Sequence, residues 1–138
     1  MTILDLTSCY YTYQLTEESS WYCVLVTPFG KYRRLRMPMG MSQSPDWAQG
    51  ALEEVLQDLL QHSVECFIDD VALFTPTTSS DPWNDHLQLI NEVLSRLKHH
   101  GYQINPQKCA WAVKEAEFLG HWITPNGIKP LRKKLKES

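Results

Sequence analysis

Two adjacent carboxylates, Asp69 and Asp70, interrupt an otherwise apolar stretch and are the residues of this chain best suited to chemistry. Ser63 to Ile68 precedes them and Val71 to Thr75 follows, both rich in the β-branched and aromatic residues that suit a pleated strand. Taken alone, the pattern reads first as a β-hairpin with an acidic Asp-Asp turn, because short acidic side chains tolerate tight turns. A second reading is that the turn presents two carboxylates to a divalent metal. A hard cation such as Mg²⁺ wants oxygen ligands, usually one or two protein carboxylates plus substrate phosphates. That reading needs a third carboxylate, so the surrounding elements decide it.

Ile3-Leu4-Asp5-Leu6 reads as a short buried strand carrying an acid, and Thr7-Ser8-Cys9 as a turn of small residues. Tyr10 to Leu15 reads as a second strand and Thr16 to Ser20 as a polar loop or single helical turn. Tyr22 to Thr27 and Lys31 to Leu35, separated by Pro28-Phe29-Gly30, read as a hairpin. A helix is predicted from Ser44 as N-cap, with Pro45 at the first helical position. Its apolar stripe is Ala48, Ala51, Leu52, Val55, Leu56, Leu59 and Leu60, and it ends near His62. Gly50 weakens this helix and leaves room for close packing. A second helix starts at the Asp81 N-cap, buries Leu87, Ile90, Val93, Leu94 and Leu97, and stops at Gly101. Tyr102 to Asn105 is a further strand. Trp111 to Val113 and Glu117 to Ile123 are read as a hairpin pair, and Pro130 as the opening of a basic helical tail.

In order, these elements make a split β-α-β-β-α-β pattern: an α+β domain whose antiparallel sheet carries two helices on one face. In that topology the first strand lies beside the central hairpin. Asp5, far away in sequence, then joins Asp69 and Asp70. Three crowded carboxylates stay ionised together only if cations compensate them. A two-metal site does this, with ions about 3.5–4 Å apart at the attacking and leaving oxygens of an in-line displacement.

The 138 residues suffice for one domain, and 43% hydrophobic with 21% charged residues is ordinary for a folded one. No apolar run approaches a membrane span, and Met1 to Asp5 has no signal-peptide pattern, so no membrane partner is expected. Cys9, Cys23, Cys66 and Cys109 are widely spaced and read as reduced intracellular thiols rather than a zinc site. The net charge of −3 disfavours nucleic acid, but Lys31, Arg33, Arg34 and Arg36 cluster, as do Lys129, Arg132, Lys133, Lys134 and Lys136. Such clusters are either solvated faces or phosphate-binding patches.

Several ordered blocks resemble the palm of reverse transcriptases from gypsy-type long-terminal-repeat retrotransposons and their retroviral relatives. They are Leu4-Asp5-Leu6-Thr7-Ser8-Cys9-Tyr10; Thr27-Pro28-Phe29-Gly30 with Tyr32; Leu35-Arg36-Met37-Pro38-Met39-Gly40; Ser44-Pro45; Phe67-Ile68-Asp69-Asp70; Asn105-Pro106-Gln107-Lys108-Cys109; and Phe118-Leu119-Gly120-His121. The resemblance implies an RNA-directed DNA polymerase that adds deoxynucleoside triphosphates to a primer on an RNA or DNA template. It assigns Asp5, Asp69 and Asp70 to two Mg²⁺ or Mn²⁺ ions and Lys108 to the leaving pyrophosphate. Leu6, Thr7, Cys9, Tyr10, Met39 and Gly40 would line the nucleotide site, with Tyr10 as the ring that excludes a 2′-hydroxyl. Phe67, Ile68, Phe118, Leu119, Gly120, His121, Arg34 and Arg36 would meet primer and template. Outside the resemblance, Tyr10 reads as an ordinary sheet aromatic and Lys108 as a solvated turn lysine.

The expected organisation is one reverse transcriptase domain over residues 1–138, with partial fingers at about 12–40 and a primer-grip hairpin at about 110–124. Upstream fingers, thumb and RNase H segments are expected in the intact polyprotein and not in this chain, which implies weak or no activity alone. Phe67 stands where the family usually has Tyr, and Cys9 where it usually has Gly. Cytoplasm, nucleus and virus-like particle are all compatible locations. Two rival functions follow from the same fold: a non-catalytic nucleic-acid-binding remnant, and another palm-type two-metal enzyme such as a nucleotide cyclase.

Overall fold

Alternation along the first strand sends Leu4 and Leu6 to one face and Ile3 and Asp5 to the other, and the tertiary structure is built on that division. The structure, a computed structural model, describes residues 1–7 and 9–131. In chain order it contains β1 (Thr2–Thr7), α1 (Cys9–Thr12), α2 (Glu17–Trp21), β2 (Val24–Thr27), β3 (Gly30–Arg33), α3 (Ser44–Leu56), β4 (Val64–Phe67), β5 (Asp70–Leu73), α4 (Pro82–His99), β6 (Gln103–Ile104), β7 (Ala116–Phe118), β8 (His121–Thr124) and β9 (Gly127–Pro130).

The main sheet has the order β4-β5-β1-β6, antiparallel throughout, as the split pattern predicts. Leu4, Leu6, Val64, Val71 and Leu73 from its strands pack with Leu52 and Leu56 of α3 and Val93 and Leu97 of α4 in one core. Each such side chain, fully buried, contributes roughly 1.5–3 kcal/mol of transfer free energy. Both long helices therefore lie on the same face. On the other face Ile3 and Ala72 are covered by Ala116, with Met1, Phe74, Ala110, Val113 and Phe118 around them. Asp5 and Asp70 continue that second face. The hairpin of β2 and β3 is a separate two-stranded sheet, and β7-β8-β9 form a third. No helix among the described residues is long and apolar enough to cross a membrane.

Several local expectations are corrected. Tyr10 to Leu15 is not a strand: Cys9–Thr12 forms α1, so that Cys9 and Tyr13, one turn apart, both join the main core. Ser44 is not the N-cap of α3; its hydroxyl donates to the Pro38 carbonyl at 3.3 Å, and Gln43 takes the cap position without a side-chain bond. The helix stops at Leu56, short of His62. Gly50 faces open space, so its lack of a side chain serves no close packing. On α4 the Asp81 cap is present, accepting from the Asn84 N–H, but Leu87 is exposed and His86 is buried one position earlier. Glu117 to Ile123 is not one strand. Leu119 and Gly120, both at positive φ (50° and 72°), turn the chain between β7 and β8, and β9 adds a strand where a helical tail was expected to begin. Trp111 to Val113 forms no strand; the Val113 N–H instead donates to the Met1 carbonyl at 2.8 Å. Ser8 and the basic residues from Arg132 onward lie outside the described residues.

Candidate active site

The sheet register assembles the acids. Asp5 stands opposite Asp70 in the β1–β5 pairing, and Phe67 stands opposite Asp70 in the β4–β5 pairing. The two-residue turn is Ile68-Asp69, not Asp69-Asp70; Asp70 is already the first residue of β5. The Leu6 N–H donates to the Asp69 carbonyl at 2.7 Å, tying the turn to the strand that carries Asp5. Ile68 sits at φ 57°, a conformation that β-branched residues rarely adopt. The Cys9 thiol donates to its carbonyl at 3.6 Å. The turn is therefore held from β1 and α1 in a backbone shape it would not choose alone.

Lys108 arrives by a different route. The Asn105 N–H donates to the Asp5 carbonyl at 2.9 Å, and the Asn105 side chain accepts from the Gln107 N–H at 3.2 Å. This docks the 105–108 turn on β1 and brings Lys108 Nζ to 3.8 Å from Asp5 Oδ2. Beneath Asp5, its own N–H donates to Cys109 Sγ at 3.4 Å. Burial, then the charges of Asp69 and Asp5, push the Asp70 carboxyl above its ordinary value, against the opposing pull of Lys108. One exposed lysine thus compensates three acids incompletely. The donor set is all carboxylate oxygen, which suits a hard divalent cation. Among the described residues no three acidic, imidazole or thiol side chains close around a single point.

Other expected site residues divide. Burial and then the charge of Asp69 push the Tyr10 phenol above its ordinary value; Tyr10 lies on α1 rather than on a strand. Thr7 is exposed at the end of β1. Leu6 and Cys9 are 3% and 2% exposed and point into the core, so a ligand would meet their backbone and not their side chains. Met39 and Gly40 lie in the exposed β3–α3 connection, where φ of 91° at Gly40 calls for glycine. Arg36 donates to the Thr12 carbonyl at 2.9 Å and Arg34 is half-buried beyond β3. No hydrogen bond or ion pair among the described residues ties Met39, Gly40, Arg34 or Arg36 to the acids. Phe118 packs on Ile3 and Ala72, while Leu119, Gly120 and His121 form the adjoining β7–β8 turn, with His121 Nδ1 at 3.0 Å from the Leu119 carbonyl. Gln49 of α3 was not singled out in the sequence, yet its side chain bonds to the Ile68 N–H at 2.7 Å. A polar residue between the apolar positions of a helix gives no signal of such a role.

A split antiparallel sheet with two helices on one face and acids meeting on the other is the architecture of a polymerase palm. The chain belongs to the reverse transcriptase family: residues 1–123 match the family model described as reverse transcriptase (RNA-dependent DNA polymerase). It is 33% identical over 135 residues to the retrovirus-related Pol polyprotein from transposon 297 of Drosophila melanogaster, covering 98% of this chain and 12% of that protein. It is 26% identical to the transposon Tf2-3 polyprotein of Schizosaccharomyces pombe, over 97% of this chain and 10% of that protein. The chain thus spans between a tenth and an eighth of the length of these polyprotein relatives. In fold it is similar to the foamy viral protease-reverse transcriptase in complex with an RNA/DNA hybrid, with a TM-score of 0.85 at 22% identity, covering 99% of this chain and 18% of that one. The native prototype foamy virus protease-reverse transcriptase matches with a TM-score of 0.74 at 27% identity, over 95% and 16% of the two chains.

Proposed function

We propose that this domain adds deoxynucleotides to a primer on an RNA or DNA template by two-metal-ion nucleotidyl transfer, as part of a larger retroelement polyprotein. The observation that carries the proposal is the pairing of Asp5 with Asp70 beside the Ile68-Asp69 turn. Asp5, Asp69 and Asp70 would hold two Mg²⁺ or Mn²⁺ ions. When bound, such ions supply charge neutralisation at the attacking and leaving oxygens of the phosphoryl group. Lys108, with its Nζ 3.8 Å from Asp5 Oδ2, would give its proton to an oxygen of departing pyrophosphate. The Tyr10 ring would limit room beneath the sugar, favouring substrates without a 2′-hydroxyl. Phe67 and the Phe118–His121 turn would support the primer end. Cut from the rest of the polyprotein, the chain is expected to be weakly active or inactive.

The test has two parts. The chain itself should bind Mn²⁺, and Asp69→Asn should abolish that binding. Primer extension by the polyprotein polymerase containing this domain should require Mg²⁺ or Mn²⁺ and collapse in the same variant. Extension that survives Asp69→Asn unchanged sinks the proposal. The rival reading, a non-catalytic nucleic-acid-binding remnant, draws support from the β2–β3 hairpin. There Phe29 and Tyr32 are 90% and 55% exposed among Lys31, Arg33 and Arg34, a combination suited to stacking on single-stranded bases. Primer–template binding by the chain that is indifferent to divalent metal favours it.

A further inference from the structure

Helix α3 reaches the carboxylate turn through one side chain. Gln49 Oε1 accepts from the Ile68 N–H at 2.7 Å, and Gln49 Nε2 donates to the Cys66 carbonyl at 3.0 Å. The second amide proton goes to Glu53 Oε1 at 2.7 Å. β4 is the edge strand of the main sheet. In a hairpin closed by the Phe67–Asp70 pair, the Cys66 carbonyl and the Ile68 N–H point outward, away from β5. A neighbouring strand would pair with such outward groups; among the described residues no strand lies alongside Cys66 and Ile68, and a primary carboxamide presents the same donor and acceptor. Gln49 thus acts as a one-residue substitute for the missing strand, at the point where the edge turns.

We propose that Gln49 is a positioning residue, whose carboxamide clamps Cys66 and Ile68 so that Asp69 is presented next to Asp5. The proposal rests on the two-metal reading of the site. Ile68 at φ 57° needs outside support, and its N–H is bonded by Gln49 while its carbonyl is bonded by Cys9. Side-chain chemistry makes the clamp specific. Glutamate keeps the acceptor but turns a carboxylate toward the Cys66 carbonyl. Methionine keeps the shape and loses both bonds. Asparagine keeps both functions on a stem one methylene shorter.

The experiment uses the whole chain with Gln49→Met and Gln49→Asn. It reads amide hydrogen exchange at Ile68, Mn²⁺ affinity by electron paramagnetic resonance, and exchange along the rest of α3 and the sheet as a folding control. Exchange at Ile68 should accelerate about tenfold, the effect of losing one ordinary hydrogen bond. Mn²⁺ affinity should fall about 10- to 100-fold, the usual consequence of removing a group that orients a ligand. Exchange elsewhere should not change. Unchanged Ile68 exchange overturns the clamp. Faster Ile68 exchange with unchanged Mn²⁺ affinity overturns the positioning role. If the unmodified chain binds no Mn²⁺, the positioning role falls together with the two-metal reading, and Ile68 exchange alone then tells whether Gln49 still clamps the turn.

Discussion

Asp5 and Asp70 are direct partners across the β1–β5 register, two acids facing each other on one side of an antiparallel sheet. Like charges placed this way destabilise the pairing. The fold keeps them there, with Lys108 Nζ 3.8 Å from Asp5 as partial compensation. The pairing of the two acids thus opposes folding, and the exposed lysine offsets it only in part.

The first consequence concerns Asp70. Its carboxyl is raised by burial, then by Asp69 and Asp5. A raised acid is disfavoured in its ionised form in the native state. The penalty is therefore absent below the ordinary value of 3.8 and complete above the raised one. Asp70→Asn should raise the melting temperature at pH 7, by up to about 1 kcal/mol of stability, the scale of a cross-strand charge pair. The gain should shrink as pH is lowered toward 4, and added Mg²⁺ should stabilise the unmodified chain more than the variant. Thermal melts at several pH values check both.

Lys108 separates stability from chemistry. Its side chain is 67% exposed, and an exposed pair of this kind contributes at most about 1 kcal/mol. Lys108→Ala should leave the melting temperature nearly unchanged. Under the proposed mechanism it should slow single-turnover nucleotide addition by about 100-fold or more, the range of a lost general acid. The rate is measured in the polyprotein polymerase that contains this domain. Equal loss of stability and rate would show instead that the lysine is structural.

His86 predicts an acid-sensitive step. Its Nε2 lies 2.8 Å from Thr2 Oγ1 and its Nδ1 lies 2.7 Å from Thr75 Oγ1, joining α4 to β1 and to the segment that follows β5. Burial, then the N-terminal ammonium, lowers its pKa below the ordinary 6.5. A lowered histidine adds stability above that ordinary value and loses it as pH falls through the native one. Denaturant unfolding should show a decline beginning below about pH 6.5. His86→Gln should flatten the decline, at a cost of about 1 kcal/mol at pH 7.5.

The long apolar stripes were legible because burial imposes a period. Val93 and Leu97 are core residues as their spacing requires, and the β4–β5 hairpin lies where two largely apolar runs meet at the acid pair. Two of the short elements were not legible. Cys9–Thr12 has the composition of a strand, but packing of Cys9 and Tyr13 against the core makes it a helical turn. Leu119-Gly120 turns between β7 and β8 with Leu119 at positive φ, which no propensity favours. His86 displaced Leu87 from the core because two threonine hydroxyls satisfy its ring, and such partners cannot be seen from one helix alone.

By itself the amino-acid order determined the family and the split β-α-β-β-α-β topology, because motif order and hydrophobic period are properties of the chain. Only the tertiary structure decided which residues meet. It moved the turn to Ile68-Asp69 and set Asp5 opposite Asp70. It turned the side chains of Leu6 and Cys9 into the core, brought Lys108 to Asp5, and brought Gln49 to the backbone of the turn before Asp69. Cross-strand register and side-chain hydrogen bonds couple residues far apart in sequence. They exist only once the sheet and helices have packed.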